Sequence, residues 1–410
     1  MNEGRAWLPA GGGFPGPEAV MARLESLGRR RPGTLDMRIA GRSRNGLAIP
    51  VVRAGEGKAK VLVVGFPHPN EPVGGALGLS CIERVAAGWD VRLDFVPALE
   101  LDSALRNHWY DRPLSLEEYV QGSFLDAGDD QLEFSYPARG DAGFIRSEVA
   151  TLAGILASAE PDVYLPAHSS PGLGGVYFYV SDGFEPLLLE EMGSIVRRHG
   201  LYLEHQPHAP QFDELCPGFY RLISTQNLPF RNLLAGRETS YRFFAQRYSG
   251  KVLVCEVPMA AGLFPPQDPC PVPPGEAAAA FNAEMDEARQ LFWRCGEVLL
   301  NGKPDPLRRS VLFWGRWWGF PTVPAPRAWT WGQAARLEHA VFLRLTLLGW
   351  LLRLVAGAGG DDGRLARMIP VRMGALWDIL RWIGGFRLLT CAEQVALYTD
   401  CLIAAARNAG

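Results

Sequence analysis

The chain has 410 residues, 48% of them hydrophobic and 21% charged, and a formal net charge of −3 at pH 7. Single hydrophobic cores stop growing near ~250–300 residues, so two structural units are expected. The weak net charge excludes a global basic field of the kind that binds nucleic acid or an anionic membrane surface.

The cysteines and the N-terminal segment indicate the cellular compartment of the protein. Seven cysteines are scattered without a C-x-x-C pair, which predicts reduced thiols in a cytoplasmic protein. Residues 1–16 lack the charged and then apolar pattern of a signal peptide. Residues 341–356 are the most apolar stretch, but we expect them to be too short to span a bilayer. Four lysines beside abundant Arg, Ala and Gly are typical of a high-GC bacterial genome.

Helical and strand-like apolar patterns alternate over residues 1–300, which predicts an α/β domain with a mixed, mostly parallel central sheet flanked by helices. The Asn-Gly pair at 45–46 favours a hairpin turn. Predicted helices cover 17–30, the segment from Pro72 to about 88, 142–160, 185–199 and 276–300. Predicted strands cover 35–42, 47–54, 60–66, 91–97, 162–166, 176–180 and 251–257.

Two other parts of the chain lack this alternation of helical and strand-like patterns. Residues 98–142 are mostly irregular, and loops of that length are usually functional. Residues 301–324 are rich in Trp and Pro and predict a linker, whereas 325–410 predict an all-helical extension. The predicted division is therefore a domain over 1–300, the linker and the extension. We expect the extension to pack on that domain or to mediate a homo-oligomer.

The strand at 60–66 ends at Pro67, and His68 and Glu71 follow directly. Open α/β sheets place their chemistry at the carboxyl ends of strands. An imidazole nitrogen and a carboxylate oxygen are zinc ligands, and catalytic zinc usually has three protein ligands and one position for water. By itself the H-x-x-E pattern also fits a solvated loop, so a third ligand must come from elsewhere.

Two further strands carry ionisable residues at or near their ends. His168 follows the strand at 162–166 and is either a third metal ligand or a core histidine hydrogen-bonded at a strand end. Glu256 lies within the apolar strand at 251–257 and is either a catalytic carboxylate or a structural one paired with an arginine. Burial of an unpaired carboxylate costs several kcal/mol, so a partner for Glu256 is expected.

Taken in their order along the chain, these motifs resemble those of the zinc carboxypeptidase family, the carboxypeptidase A-like metallopeptidases. The resemblance covers about residues 17–300 and rests on the G-x-S-x-x-G-like turn at 41–46, the H-x-x-E motif, His168-Ser169 and Glu256. The segments H-P-N-E-P-V-G at 68–74 and G-G-V-Y-x-Y at 174–179 resemble one sub-branch of that family.

The resemblance implies a fold, a metal and roles for individual residues. His68, Glu71 and His168 would hold Zn²⁺, which lowers the pKa of bound water and polarises a substrate carbonyl. Glu256 would act as general base and then as general acid. An arginine would stabilise the oxyanion, with Arg106 and Arg112 as the two candidates. A tyrosine near the leaving group would be Tyr241 or Tyr248.

One departure from the family concerns substrate binding. The family holds the terminal carboxylate of its substrate with an Asn-Arg pair, and the matching positions here are Glu133 and Phe134. A carboxylate cannot clamp another carboxylate at neutral pH, and Phe offers no charge-assisted hydrogen bond. We predict that both residues bind substrate, with Glu133 suited to a cationic or hydroxylated group.

Three functional hypotheses remain open. The first is a zinc-dependent hydrolase that cleaves an amide or peptide bond in a small peptide or acyl-amino substrate. The second is a deacylase resembling the succinylglutamate desuccinylase/aspartoacylase group, although that group normally keeps the Asn-Arg pair. The third is a catalytically inactive scaffold on the carboxypeptidase fold. No context supports a functional role for His199, His205, His208 or His339.

Overall fold

Helices and strands alternate along most of the chain. A computed structural model describes residues 12–138, 143–144, 146–170, 172–204, 213–301, 305–320, 322–323, 327–358 and 363–409. The strands are β1 (Leu35–Arg42), β2 (Ala48–Ala54), β3 (Ala59–Val64), β4 (Val91–Val96), β5 (Tyr136–Pro137), β6 (Val163–Pro166), β7 (Leu173–Gly174), β8 (Tyr177–Val180), β9 (Glu214–Cys216), β10 (Phe219–Arg221), β11 (Arg237–Glu238), β12 (Lys251–Glu256), β13 (Ala260–Gly262) and β14 (Phe386–Leu388). The helices are α1 (Pro17–Arg30), α2 (Val73–Ala86), α3 (Leu101–Ala104), α4 (Leu116–Gly122), α5 (Ser147–Ala159), α6 (Pro186–Arg198), α7 (Ser240–Ala245), α8 (Pro274–Arg294), α9 (Gly296–Asn301), α10 (Pro306–Trp317), α11 (Trp331–Ala358), α12 (Gly363–Ile383) and α13 (Cys391–Arg407).

Nine strands form the central sheet, in the order β1-β2-β4-β3-β6-β12-β8-β10-β9. The centre is parallel, because β4, β3, β6 and β12 pair in one direction. Antiparallel pairings join β1 to β2, β2 to β4, β12 to β8 and β10 to β9, while β8 and β10 are parallel. The predicted α/β fold with a mixed sheet, a parallel centre and a C-terminal helical region is confirmed.

Both faces of the central strands are buried. In β3, Val61 and Val63 belong to one hydrophobic cluster and Leu62 and Val64 to another. Successive side chains of a strand point to opposite faces, so an uninterrupted apolar run covers both faces. The first cluster includes residues of α2 and α13, and the second includes residues of α5 and α7. The sheet therefore lies between helical layers.

The C-terminal extension is helical apart from β14, which the sequence pattern did not predict. Strand β14 pairs antiparallel with β13, and β13 pairs parallel with β7. In the chain, β7 follows His168 and β13 follows Glu256. The extension is thus hydrogen-bonded to the segment that follows Glu256, and that segment pairs in turn with the one that follows His168.

Helix α13 also contacts the end of β12. The Tyr398 hydroxyl donates to the carbonyl oxygen of Cys255, and Gln394 Nε2 donates to the Pro258 carbonyl oxygen at 3.4 Å. The Leu389 N–H donates to the Met259 carbonyl oxygen at 2.9 Å. These contacts fix the backbone on both sides of Glu256 against the extension.

The proposed division at 300 and 325 stays a prediction, but the predicted linker contains a helix. Helix α10 begins with Asp305 as its N-cap, and its buried Trp314 donates from Nε1 to the Asp126 carbonyl oxygen at 2.9 Å. This segment therefore packs on the irregular stretch at 98–142.

The expectation that the most apolar stretch is too short to span a bilayer is wrong. It lies inside α11, which has 28 residues, and an 18-residue window of that helix has a mean hydropathy of 1.7. By length and composition this helix could cross a membrane. In the folded chain 67% of the window is buried, as in the core helix of a globular protein.

Glu338 couples the stability of the extension to pH. Its Oε1 accepts a hydrogen bond from the Gly385 N–H at 3.1 Å, and burial raises its pKa from 4.5 to about 7. Between these pH values the unfolded chain ionises at this position before the folded chain does. The resulting loss of stability is absent below pH 4.5 and reaches about 3 kcal/mol above pH 7.

We therefore predict that Glu338→Gln increases the free energy of unfolding relative to wild type by more at pH 8 than at pH 5, by up to about 3 kcal/mol. Denaturant unfolding at the two pH values measures the difference. Glu287→Gln, at an exposed position of α8, is the control and should give equal effects at both. An equal effect of Glu338→Gln at pH 5 and pH 8 would contradict the prediction.

Candidate metal centre

Three adjacent parallel strands, β3, β6 and β12, bring the predicted chemistry to one edge of the sheet. The carboxyl ends of parallel strands lie at the same edge. His68 and Glu71 follow β3, His168 lies two residues beyond β6, and Glu256 is the last residue of β12. The strand order therefore explains how residues almost 190 positions apart in sequence meet.

The turn after β3 is tight. Phe66 has a φ of 50°, and the Glu71 N–H donates to the His68 carbonyl oxygen at 3.1 Å. Helix α2 then begins at Val73. A Cβ atom on Gly74 would lie 2.7 Å from Gly65 Cα, so glycine allows the helix to start directly against the strand end. This close approach holds Glu71 at the sheet edge.

The long irregular segment supports the same turn from outside. Asn107 Nδ2 donates to the Pro69 carbonyl oxygen at 3.0 Å, and the Tyr110 hydroxyl donates to the same oxygen. Asn70 Nδ2 donates to the Tyr119 hydroxyl at 2.7 Å. Sequence reasoning gave this segment a functional role but did not single out Asn107, Tyr110 or Tyr119. Only their buried contacts identify them as positioning residues.

His68, Glu71 and His168 form a compact cluster. One potential ligand atom from each lies within 4.8 Å of the others, and the two imidazole rings are 4.9 Å apart between centroids. Glu71 Oε2 lies 3.0 Å from His168 Nδ1 and accepts the Ser169 N–H at 3.2 Å. The predicted three residues are thus brought together, and Ser169 fixes the carboxylate through its backbone.

Two ring nitrogens in the cluster have no hydrogen-bond partner. His68 Nδ1 and His168 Nε2 are buried and unpaired among the described residues. A buried polar atom without a partner costs about 1–3 kcal/mol, so such atoms require a reason. Two imidazole nitrogens and a carboxylate are a suitable donor set for zinc. The residues present therefore fit a metal ion of this kind.

The electrostatics of the cluster also favour a cation. Burial lowers the pKa of His168 to about 3 and that of His68 to about 4, so both rings are neutral, the form that binds metal. Burial raises the pKa of Glu71 to about 7, although His68 and the Ser169 N–H oppose the shift. A bound cation would reverse the cost of ionising this carboxyl group.

Glu256 lies beside the cluster and is partly accessible to solvent. Burial raises its pKa well above the ordinary value, and the charges of Glu71 and Glu133 add to the shift. The arginine partner that a purely structural role would require is not found among the described residues, and the charges that act on Glu256 are those of Glu71 and Glu133. Three carboxyl groups thus interact with one another, and no arginine or lysine among the described residues pairs with them.

The two predicted substrate-binding residues lie next to this centre. Both Glu133 carboxylate oxygens accept hydrogen bonds from Ser240, from its N–H at 2.8 Å and its hydroxyl at 2.7 Å. Burial raises the pKa of Glu133 to about 8. The Phe134 ring lies 5.9 Å from the His68 ring. Glu133 thus caps the start of α7, and Phe134 forms an apolar wall beside the candidate ligand.

The structure separates the two tyrosine candidates. Tyr241 is buried with its ring 6.4 Å from the His168 ring. Glu256 is among the charges that raise the pKa of Tyr241 well above its usual range, after burial itself. Tyr248 instead stacks on Phe244 with the ring centroids 5.1 Å apart. Of the two candidates, Tyr241 is therefore the one near the centre.

The two arginine candidates are not brought to the centre. Arg112 is exposed and forms a salt bridge with Glu118 at 2.9 Å. Arg106 is also exposed and lies over the Phe124 ring at 5.6 Å. No described contact joins either guanidinium to the candidate ligands or to Glu256. The oxyanion role predicted for one of them has no support in this geometry.

Four further histidines have no predicted role. His199 Nε2 lies 3.0 Å from Asp400 Oδ2, which ties α6 to α13. His339 lines a cavity beside the centre. His205 and His208 lie outside the described residues.

No protein-family model and no curated protein matches this chain. Among solved structures it is similar to carboxypeptidase A from Helicoverpa armigera, with 14% identity and a TM-score of 0.41, over 61% of this chain and 66% of that one. It is also similar to a metallo-carboxypeptidase from Burkholderia cenocepacia, with 14% identity and a TM-score of 0.37, over 83% of this chain and 70% of that one. The chain thus spans just under two thirds of the first structure. Because both TM-scores are below 0.5, the function proposed below rests on the residues of the site.

We predict that the purified protein binds about one zinc ion per chain and that His168→Ala loses it, because two ligands hold zinc far more weakly than three. Elemental analysis after dialysis against trace zinc measures the content. His199→Ala, which removes a histidine outside the cluster, is the control and should keep the metal. Zinc should also raise the melting temperature of wild type and not that of His168→Ala. Equal zinc content in wild type and His168→Ala would overturn the assignment.

Proposed function

We propose that this protein is a zinc-dependent hydrolase that cleaves an amide or peptide bond in a small peptide or acyl-amino substrate. The observation that carries the proposal is the convergence of His68, Glu71 and His168, with unpaired ring nitrogens, next to Glu256. When bound, zinc supplies Lewis-acid polarisation of the scissile carbonyl and activation of water. The resemblance of the motifs to zinc carboxypeptidases supports the same reading.

Glu256 is the proton-transfer residue in this proposal. It is the carboxylate beside the cluster that is neither a candidate ligand nor, like Glu133, held by hydrogen bonds to Ser240. Its partly accessible position at the end of β12 lets it take a proton from water and deliver it to the leaving nitrogen. Tyr241, buried next to His168, is placed to donate a hydrogen bond near the reacting groups.

The substrate pocket differs from that of a standard carboxypeptidase. Glu133 and Phe134 provide no cation for a terminal carboxylate, and Arg106 and Arg112 lie elsewhere. The ring of Phe134 instead offers an apolar surface beside the metal position. We therefore propose that the group flanking the scissile bond is bound here by apolar contact and not by an arginine at position 134.

Two alternatives remain. A desuccinylase-like deacylase would act on an acidic acyl-amino substrate, and the absent Asn-Arg pair disfavours it. An inactive scaffold would bind zinc without turnover. Retention of the three ligands together with Glu256 favours an enzyme.

We predict that Glu256→Gln lowers turnover by about 10²- to 10⁴-fold, because Gln cannot accept the proton, while zinc content stays at the wild-type value. The assay follows primary amine released from a panel of N-acylated amino acids and blocked dipeptides by zinc-loaded protein. Glu287→Gln, remote from the centre, should retain full activity. Full activity of Glu256→Gln on a substrate that wild type cleaves would remove Glu256 from the mechanism. Zinc-loaded wild type that cleaves no member of the panel would favour the scaffold.

A further inference from the structure

A cavity of about 110 Å³ adjoins the candidate metal centre. On the side of the sheet it is lined by Ser170, Tyr177 and Pro258, and on the side of the extension by Arg336 and His339. Ser170 follows His168 by two residues, and Pro258 follows Glu256 by two residues. With about 30 Å³ for each water molecule, the cavity accommodates a small group such as a carboxylate.

Tyr177 connects this cavity to the catalytic residue. Tyr177 in β8 and Glu256 in β12 are direct partners in the antiparallel register, so their side chains share one face of the sheet. The charge of Glu256 accordingly contributes to the raised pKa of Tyr177. A substrate group in the cavity would therefore be separated from Glu256 only by the side chain of Tyr177.

Helix α11 is seated on this wall by a close contact. A Cβ atom added to Gly172 would lie 1.8 Å from His339 Nδ1, so only glycine admits the histidine at this position. The pairing of β14 with β13, and of β13 with β7, holds the same region of the extension in place. The position of Arg336, one helical turn before His339, is thus set by packing of the helix.

Arg336 is the cation among the lining residues. Its side chain is exposed and forms no ion pair or hydrogen bond with another described residue. The cavity also contains Glu204, but Glu204 Oε2 accepts the Gly175 N–H at 2.9 Å. Elsewhere around the centre the acidic groups are the carboxyls of Glu71, Glu133 and Glu256. Positions 133 and 134 supply no cation, so among the lining residues Arg336 is the one that attracts an anionic group.

We propose that Arg336 of the helical extension determines specificity by binding a carboxylate of the substrate in this cavity. The proposal rests on the hydrolase function above and moves anion recognition from the family positions 133 and 134 to the helical extension. A guanidinium binds a carboxylate through two parallel charge-assisted hydrogen bonds, which lysine reproduces only in part.

Three probes that share one amide bond test the proposal: N-acetylalaninamide, N-acetylalanine and N-succinylalaninamide. The first is neutral, and the other two carry a carboxylate on the amino half or on the acyl half. Isothermal titration calorimetry with zinc-loaded Glu256→Gln protein measures binding without turnover. One of the two acids should bind at least about tenfold more tightly than the neutral probe, as expected for a hydrogen-bonded charge. Which acid does so identifies the half that carries the carboxylate.

Arg336→Ala in the same background should abolish this preference, and Arg336→Lys should restore part of it. Arg367→Ala, at an exposed position on α12, should bind the three probes as the Glu256→Gln protein does. Melting temperature and zinc content establish that each variant is folded and loaded. Equal binding of all three probes by the parent, or a preference that survives in Arg336→Ala, overturns the inference.

Hydrolysis of the same probes by protein that retains Glu256 separates this inference from the proposed function. Cleavage with an acid preference unchanged by Arg336→Ala overturns the inference and leaves the hydrolase intact. Binding that depends on Arg336, without cleavage of any probe, contradicts the hydrolase and leaves the anion site.

Discussion

Three carboxyl groups, those of Glu71, Glu133 and Glu256, are concentrated at one edge of the central sheet, and no protein cation compensates them among the described contacts. Burial raises the pKa of each, so their ionisation in the protein alone is costly. Glu133 is accommodated by hydrogen bonds from Ser240. Glu71 and the neutral histidines beside it fit a metal ion, and in the proposed hydrolase Glu256 moves the proton. The division of roles follows from which carboxylate has which neighbour.

The C-terminal extension packs directly against this edge of the sheet. Its strand β14 pairs with β13, and its Tyr398 hydroxyl donates a hydrogen bond to the carbonyl oxygen of Cys255. Its Arg336 lines the adjoining cavity. A loop next to a catalytic residue is usually mobile unless other elements hold it. Here the segment after Glu256 is held by hydrogen bonds from β14 and α13, more than a hundred residues further along the chain. Strand β13 in turn pairs with β7, which follows His168.

Several parts of the fold and site could be predicted because their signals are local. The apolar run of β3 and the Asn-Gly turn before β2 depend on side-chain periodicity and backbone preference. The candidate ligands His68 and Glu71 adjoin such a strand, and His168 and Glu256 have the same relation to β6 and β12. By contrast, Arg106 and Arg112 were chosen from an irregular segment, where no period indicates which way a side chain points. Both lie at the surface.

The sequence by itself indicated seven of the nine strands of the central sheet, the candidate metal ligands and candidate proton-transfer residue at or near their carboxyl ends, and the absence of an arginine from positions 133 and 134. These conclusions need only residue chemistry and short-range spacing. Only the tertiary structure decided that β3, β6 and β12 are neighbours, that Tyr241 and not Tyr248 reaches the centre, and that Arg336 faces an adjoining cavity. Those relations depend on the order of strands in the sheet and on the docking of α11 against Gly172. Contacts between residues that are distant in sequence set both, and no local pattern encodes them.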